Sequence, residues 1–250
     1  MLDSGVVKVV EFGHSDIAAA CAGWMLAAMG ARVTRVNVTG NSVDERTNTP
    51  LAFALEALRD GKETAPDIEN PTEFRKRLSA ADVLLCSDLG ALTSLATSPS
   101  QLRTSHPHLI IGIPTTFGLD GPYFGFFGTS LDAQALSGVA WVIGELGRSP
   151  LSLPAGILEH QSGALLAAGC LLALNVRDEY DEGQVVDVSL SDLLTSYVAG
   201  NCRFMIHHGL TWQRSGRRAS GSGGAYPFVI LPCADHAQLR RNGVASRLSR

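Results

Sequence analysis

Short apolar runs alternate with helical stretches through the first half of the chain. The runs are rich in Val, Leu and Ile, which predicts buried strands at residues 6–12, 32–38, 82–86 and 109–113. Helices are predicted between them, at residues 16–29, 71–80 and 99–105. Strands that alternate with helices in this way predict an α/β fold, an open, mostly parallel Rossmann-like sheet with flanking helices.

Capping signals support these helices. Ser15 or Asp16 can cap the first helix and Gly30 can end it in a left-handed conformation, while Asn70 precedes a proline at the start of the next. Beyond residue 116 the pattern predicts apolar helices at residues 131–142 and 160–175, a hairpin-like strand at 185–188 and a helix to His207 that begins with a capping box at Ser189 and Asp192. We expect a large domain at residues 1–200 and a linker with the start of a small domain at 201–250.

The amino-acid composition excludes several classes of protein. The chain has 45% apolar and 18% charged residues and a net charge of −4, which is typical of a globular protein and argues against a nucleic-acid binder. Its five cysteines are widely spaced, so no metal site is expected. We find no signal peptide and no apolar run of the roughly 18 residues that span a membrane, which predicts a cytoplasmic protein.

The common catalytic motifs are missing. The turn after the first strand has no GxGxxG spacing, no Walker A segment occurs, and no serine stands in a GxSxG elbow. His14 follows the carboxyl end of that strand, where ligands of open α/β sheets gather. Its position is equally consistent with a ligand contact and with a histidine that contacts no ligand. Glu159 opens an apolar helix whose positive dipole end keeps a carboxylate ionised. The residues alone are consistent with a catalytic carboxylate or with a plain helix-terminal charge.

Several segments resemble one enzyme family. The most specific are the turn at residues 118–123, Gln-Ala-Leu-Ser-Gly at 134–138 and Gly-Gln-Val-Val-Asp-Val-Ser at 183–189. Further matches lie at residues 9–12, 29–33, 226–227 and 232–235. Together these segments resemble the family III CoA-transferases of the CaiB/BaiF type. The resemblance implies that fold, a small organic acid and an acyl-CoA as substrates, and no tightly bound cofactor. It also implies a homodimer, or a heterodimer with a paralogue, and no membrane partner.

The resemblance also implies roles for individual residues. The family's nucleophile is an aspartate four residues before a glycine, and Glu159 stands four residues before Gly163. It would form a mixed anhydride and then a CoA thioester, which is covalent catalysis by a carboxylate. The residues expected to bind CoA are His14, Ser15, Asp16, Lys62, Ser87 and Asp88. The glycines expected to form a lid, unless that loop is only a linker, are Gly221, Gly223 and Gly224.

Departures from the family pattern leave two functional hypotheses. The nucleophile is glutamate, and residues 86–90 have an acid where the family's CoA-binding segment has a basic residue, which would repel phosphate. The family's C-terminal segment is not recognisable after Asp235, so the chain reads as a truncated member. One hypothesis is an active CoA-transferase, and the other a catalytically silent partner subunit or truncated product. The family's racemase branch is disfavoured, because Thr129 stands where its histidine base would be.

Overall fold

The computed structural model describes residues 5–13, 16–37, 50–68, 70–87, 89–216, 229–232 and 238–241. The strands are β1 (Lys8–Phe12), β2 (Arg32–Val36), β3 (Glu63–Thr64), β4 (Val83–Cys86), β5 (Ile110–Thr115), β6 (Val185–Ser189), β7 (Val229–Pro232) and β8 (Gln238–Arg241). The helices are α1 (Ile17–Ala28), α2 (Pro50–Ala57), α3 (Pro71–Leu78), α4 (Leu89–Ser94), α5 (Pro99–Ser105), α6 (Ser130–Leu136), α7 (Val139–Val142), α8 (Ile157–Tyr180), α9 (Leu190–Tyr197) and α10 (Ala199–His208).

Strands β1 to β6 form one sheet in the order β3-β2-β1-β4-β5-β6, and every pair in it is parallel. This confirms the predicted α/β layer. The expectation of a hairpin-like strand near Val185 is wrong, because β6 pairs in parallel with β5, with Val185 opposite Ile111. Gly183 allows this pairing: a Cβ there would collide with the backbone of His108 and Leu109, next to β5.

Each face of the sheet is covered by its own helices. On one face, Ala22 and Leu26 of α1 pack with Leu166 and Cys170 of α8 over the buried strand residues. On the other face, the apolar side chains of α3, α4 and α5 pack over the opposite sides of the same strands. Helices on both faces explain why β1, β4 and β5 are largely continuous apolar runs rather than alternating ones.

Helix ends agree with the capping signals in some places and not in others. The Asp16 side chain caps α1, and Gly30, at a φ of 98°, follows that helix in the left-handed region. The helix predicted at residues 131–142 is instead two helices, separated by Gly138 at a φ of 81°. Similarly, α9 and α10 replace the single helix expected to reach His207, with the interruption at Val198.

Helix α8 corrects the expectation that no segment is long and apolar enough to cross a membrane. Its 24 residues contain an 18-residue window with a mean hydropathy of 1.4. Of that window, 44% is buried in the protein. The buried side chains pack against α1, β5 and β6, so a place in the core accounts for the apolar composition of this helix.

The chain divides into two compact units, one of Met1–Phe127 with Pro154–Leu190 and one of Gly128–Leu153 with Ser191–Arg250. The boundary expected at residue 200 stays a prediction. Within the second unit, the Arg214 guanidinium lies 4.7 Å from the centre of the Trp141 ring and donates to the Trp141 carbonyl at 2.9 Å. The Trp141 indole donates to the Trp212 carbonyl at 3.1 Å.

Candidate active site at two adjacent helix N-termini

Close packing of α1 on α8 positions the candidate site. A Cβ built on Gly163 would lie 2.5 Å from the Ala18 carbonyl oxygen and 2.7 Å from the Cys21 Cβ. Only glycine therefore lets the two helix backbones approach this closely. The Cys21 thiol lies 3.6 Å from the His160 carbonyl oxygen and donates to it. As a result, the first turns of the two helices lie side by side.

Glu159 lies in the first turn of α8, as predicted. It is partly buried, and the helix begins after Gly156, which has a φ of 86°. The backbone N–H groups of a first turn have no acceptor within the helix, and with the helix dipole they favour an anion. Among the residues that the structure describes, no hydrogen bond or ion pair engages the Glu159 carboxylate. Its oxygens are therefore available to a ligand.

A cavity of about 580 Å³ opens beside Glu159. The described residues that line it are Ile17, Ala54, Ala155, Gly156, Ile157, Glu159 and His160. Of these, only Glu159 and His160 carry polar side chains. An apolar cavity with a few polar groups is the usual form of a small-molecule site.

His160 is the functional candidate that the sequence did not reveal. Its Nδ1 lies 2.6 Å from the Gly156 carbonyl oxygen, and its ring borders the cavity. The signal in the sequence was only its place next to Glu159. Adjacent residues of a helix point in different directions, so that signal is weak.

Asp16 lies near Glu159 but serves as a helix cap. Its Oδ1 accepts hydrogen bonds from the backbone N–H groups of Ala18 at 2.6 Å and Ala19 at 3.0 Å. Burial raises the pKa of Asp16, the two backbone hydrogen bonds oppose this, and the neighbouring carboxylates of Glu159 and Glu11 raise it further. The prediction that Asp16 binds CoA stays a prediction.

Lys62 is committed to a buried ion pair. Its Nζ donates to Glu11 Oε2 at 2.6 Å and to the Ala20 carbonyl at 2.7 Å, and its side chain is only 1% exposed. The other Glu11 oxygen accepts from Arg35 Nε at 3.2 Å. Burial lowers the pKa of Lys62, although Glu11 opposes this. In this arrangement Lys62 ties the end of β1 to α1, and the expectation that it binds a CoA phosphate stays a prediction.

Ser87 lies where the strand order reverses between β1 and β4. Its backbone N–H donates to the Phe12 carbonyl at 3.1 Å, and its hydroxyl lies 3.4 Å from the same oxygen. The crevice at such a reversal is the usual ligand site of an open α/β sheet. The remaining expected site residues lie outside the described residues: His14, Ser15, Asp88, Gly221, Gly223 and Gly224.

The family resemblance also leads us to expect the turn at residues 118–123 beside Glu159, but none of the described residues that line the Glu159 cavity belongs to this turn. The Asp187 carboxylate binds the turn, accepting from the Leu119 N–H at 2.6 Å and from the Thr115 hydroxyl at 2.8 Å. Leu119 lines a different cavity, of about 610 Å³, together with Arg103 and Val185. The turn follows β5 and is held by β6, so it lies at another part of the sheet edge.

Comparison with known proteins identifies the family. The family model described as CoA-transferase family III matches residues 5–239. The chain belongs to this family. It is 31% identical over 198 residues to an (R)-2-hydroxy-4-methylpentanoate CoA-transferase of Clostridioides difficile, a match that covers 74% of this chain and 49% of that protein. It is 30% identical over 190 residues to an alpha-methylacyl-CoA racemase of Mus musculus, covering 74% of this chain and 47% of that protein.

The solved structures agree on the fold of this CoA-transferase family member. A CAIB/BAIF family protein from Brucella suis superposes with a TM-score of 0.81 at 24% identity, over 92% of this chain and 63% of that one. The chain spans about half the length of the two curated relatives, at 49% and 47%.

Proposed function

We propose that this chain moves CoA between an acyl-CoA and a carboxylic acid, with Glu159 as the nucleophile. The observation that carries this proposal is a carboxylate in the first turn of α8 that has no partner among the described residues and lies on the wall of an apolar cavity. Membership of the CoA-transferase family supports it. The chain covers about half of the length of its two curated relatives, so their activity is a proposal for this chain.

In the proposed reaction, a Glu159 oxygen attacks the thioester carbonyl and the C–S bond breaks. The products are a mixed anhydride and CoA thiolate. The thiolate then attacks the glutamyl carbonyl, which releases the donor acid and leaves CoA as a thioester on Glu159. The acceptor carboxylate attacks this thioester, the C–S bond breaks, and a second anhydride and CoA thiolate form. The thiolate then attacks the acceptor acyl carbon, which gives the acceptor acyl-CoA and releases the Glu159 carboxylate. The positive end of α8 stabilises the oxyanions of these steps.

The wall of the cavity favours an acyl group without charge, because Ile17, Ala54 and Ile157 line it together with Glu159. The CoA nucleotide is proposed to lie along the carboxyl ends of β1 and β4, near Asp16 and Ser87. A glycine-rich lid over the site, a homodimer and a cytoplasmic location remain part of the proposal.

Trapping with hydroxylamine tests the role of Glu159. We expect butyryl-CoA followed by hydroxylamine to give a hydroxamate on the peptide that contains Glu159, detected by mass spectrometry. Glu159→Gln should give no adduct. Glu159→Asp should keep the adduct and react more slowly, on the order of 10²-fold for a displacement near 1 Å. Parent protein that forms no adduct, or a Gln variant that exchanges CoA at the parent rate, would rule out the proposal.

The second candidate is a silent subunit that no longer binds CoA. Two features favour it: Lys62 forms an ion pair with Glu11, and residues 86–90 contain no basic residue. Isothermal titration with CoA separates the two, since a silent subunit shows no binding heat while it remains folded by circular dichroism.

Racemisation needs a base on each side of the substrate's α-carbon. At the position of the family's histidine base, Thr129 donates from its backbone N–H and its hydroxyl to the Asp132 carboxylate, at 2.8 and 2.7 Å. A threonine hydroxyl is too weak a base at neutral pH to take a carbon-bound proton. We expect no exchange of the α-hydrogen of 2-methylbutyryl-CoA in D₂O.

A further inference from the structure

The cavity beside Glu159 contains a second group that can handle protons. Among its described lining residues, only the Glu159 carboxylate and the His160 imidazole can accept a proton. In the proposed transfer reaction Glu159 is consumed as the nucleophile, so it is esterified or acylated during the cycle. In that state, the imidazole is the remaining base on the described wall.

Hydrogen bonds fix the imidazole of His160. A carbonyl oxygen can only accept, so the short contact of 2.6 Å to the Gly156 carbonyl places a proton on Nδ1. In the neutral ring, Nε2 then carries the lone pair. The backbone of His160 is held as well, by its N–H to the Gly156 carbonyl at 3.0 Å and by its own carbonyl to the Cys21 thiol. The ring is exposed, so water reaches Nε2.

We propose that His160 activates water and that this chain hydrolyses acyl-CoA in addition to transferring CoA. The proposal rests on the proposed role of Glu159. The Glu159 oxygen attacks the thioester carbonyl and the C–S bond breaks, which gives the acyl-glutamyl anhydride and CoA thiolate. Water then attacks the acyl carbonyl of the anhydride while Nε2 of His160 takes its proton. The anhydride C–O bond breaks, the carboxylic acid leaves, and the Glu159 carboxylate is regenerated. The proton on His160 passes to the thiolate, so the net reaction is acyl-CoA and water to acid and CoA.

The fixed imidazole of His160 suits hydrolysis of the anhydride better than it suits CoA transfer. Transfer between carboxylates moves no net proton, because an incoming carboxylate replaces an outgoing one. Hydrolysis needs one proton removed from water and one delivered to sulfur, and a positioned base is typically worth about 10²–10⁴-fold in such a step. A fixed imidazole on the wall of the same cavity therefore accelerates hydrolysis and has no corresponding part in transfer.

One assay measures both reactions on the full chain. Incubating butyryl-CoA with ¹³C-butyrate reports transfer as label that enters butyryl-CoA, whatever the natural acceptor is. Free CoA released in the same tube, measured by chromatography, reports hydrolysis. His160→Asn is the main variant, because its amide N–H can replace Nδ1–H at the Gly156 carbonyl while it lacks the basic Nε2. His160→Gln is the second variant, and His207→Asn is the matched control, since His207 is an exposed histidine elsewhere in the chain.

We expect the parent to release CoA without an acceptor, and both His160 variants to lower the ratio of hydrolysis to exchange by 10-fold or more. His207→Asn should leave that ratio at the parent value. Parent protein that exchanges label but releases no CoA would overturn the proposal, as would His160 variants with the parent ratio. Absence of both exchange and the Glu159 hydroxamate would instead refute the role of Glu159, and with it this hydrolytic route.

Discussion

Replacing Gly163 with alanine tests the contact that brings the two helix N-termini together. The added Cβ would lie 2.5 Å from the Ala18 carbonyl oxygen, 2.7 Å from the Cys21 Cβ and 3.2 Å from the Ala22 nitrogen. Two of these atoms are backbone and the third is a Cβ, so no side-chain rotation can relieve the contact. The first turns of α1 and α8 must therefore separate.

The magnitude follows from two opposing effects. Overpacking a well-packed site typically costs about 1–3 kcal/mol, and a collision with helix backbone belongs at the upper end of that range. Alanine in place of glycine within a helix regains about 1 kcal/mol through its propensity. We expect a net loss of about 2 kcal/mol in the free energy of unfolding.

Urea unfolding followed by circular dichroism measures this loss. Gly200→Ala is the matched control, because Gly200 also lies in a helix and the nearest atom to its added Cβ is 3.9 Å away, in Trp212. That variant should be as stable as the parent or more stable. If Gly163→Ala were likewise neutral or stabilising, the close helix contact would not exist as described. Faster alkylation of Cys21 in the Gly163 variant would show directly that the helices have separated.

Two further expectations concern titrating groups. Burial, followed by the Glu159 and Glu11 carboxylates, raises the pKa of Asp16 above its ordinary 3.8 against the effect of two backbone hydrogen bonds. Its contribution to stability is therefore full below pH 3.8 and is lost as the pH rises through the raised pKa. We expect the stability of Asp16→Asn, which keeps a capping side chain, to increase relative to that of the parent as the pH rises above 3.8, whereas a stability difference independent of pH would contradict this. Burial also raises the pKa of Cys170 to about 12, while Cys202 is exposed. Iodoacetamide at neutral pH should label Cys202 first and Cys170 only on unfolding, and early labelling of Cys170 would be inconsistent with its packing.

Local patterns were sufficient for the sheet and its main helices but not for pairing between distant segments. The apolar runs identified β1, β4 and β5, because helices cover both faces of the sheet. Strand β3 has only two residues, both exposed, and it is defined by its backbone pairing with β2, in which Thr64 lies opposite Arg35. No local pattern reveals such a strand. The strand near Val185, which the sequence predicted to be hairpin-like, is instead reached through a connection that contains α8, and this connection makes β6 parallel to β5.

The candidate site likewise has features that a local sequence pattern predicts and features that depend on distant residues. The position of Glu159 at a helix N-terminus follows from the apolar helix that it opens, so the sequence predicts it. The Lys62–Glu11 pair joins residues 51 positions apart, and charge patterning along the chain cannot show which partner a lysine finds. The separation of the 118–123 turn from the Glu159 cavity likewise depends on Asp187, which is distant in sequence and binds the turn to β6.

Two carboxylates at adjacent helix N-termini experience similar dipoles, yet they make different contacts in the structure. Asp16 places one oxygen against the N–H groups of Ala18 and Ala19 and thereby stabilises α1. Glu159 is preceded by Gly156, whose left-handed conformation starts α8 without a side-chain cap, and its carboxylate faces the cavity with no described partner. A residue that already satisfies its own helix would break those hydrogen bonds in order to attack a thioester. The glutamate would break no such bond, and for this reason we propose Glu159, rather than the capping residue Asp16, as the nucleophile.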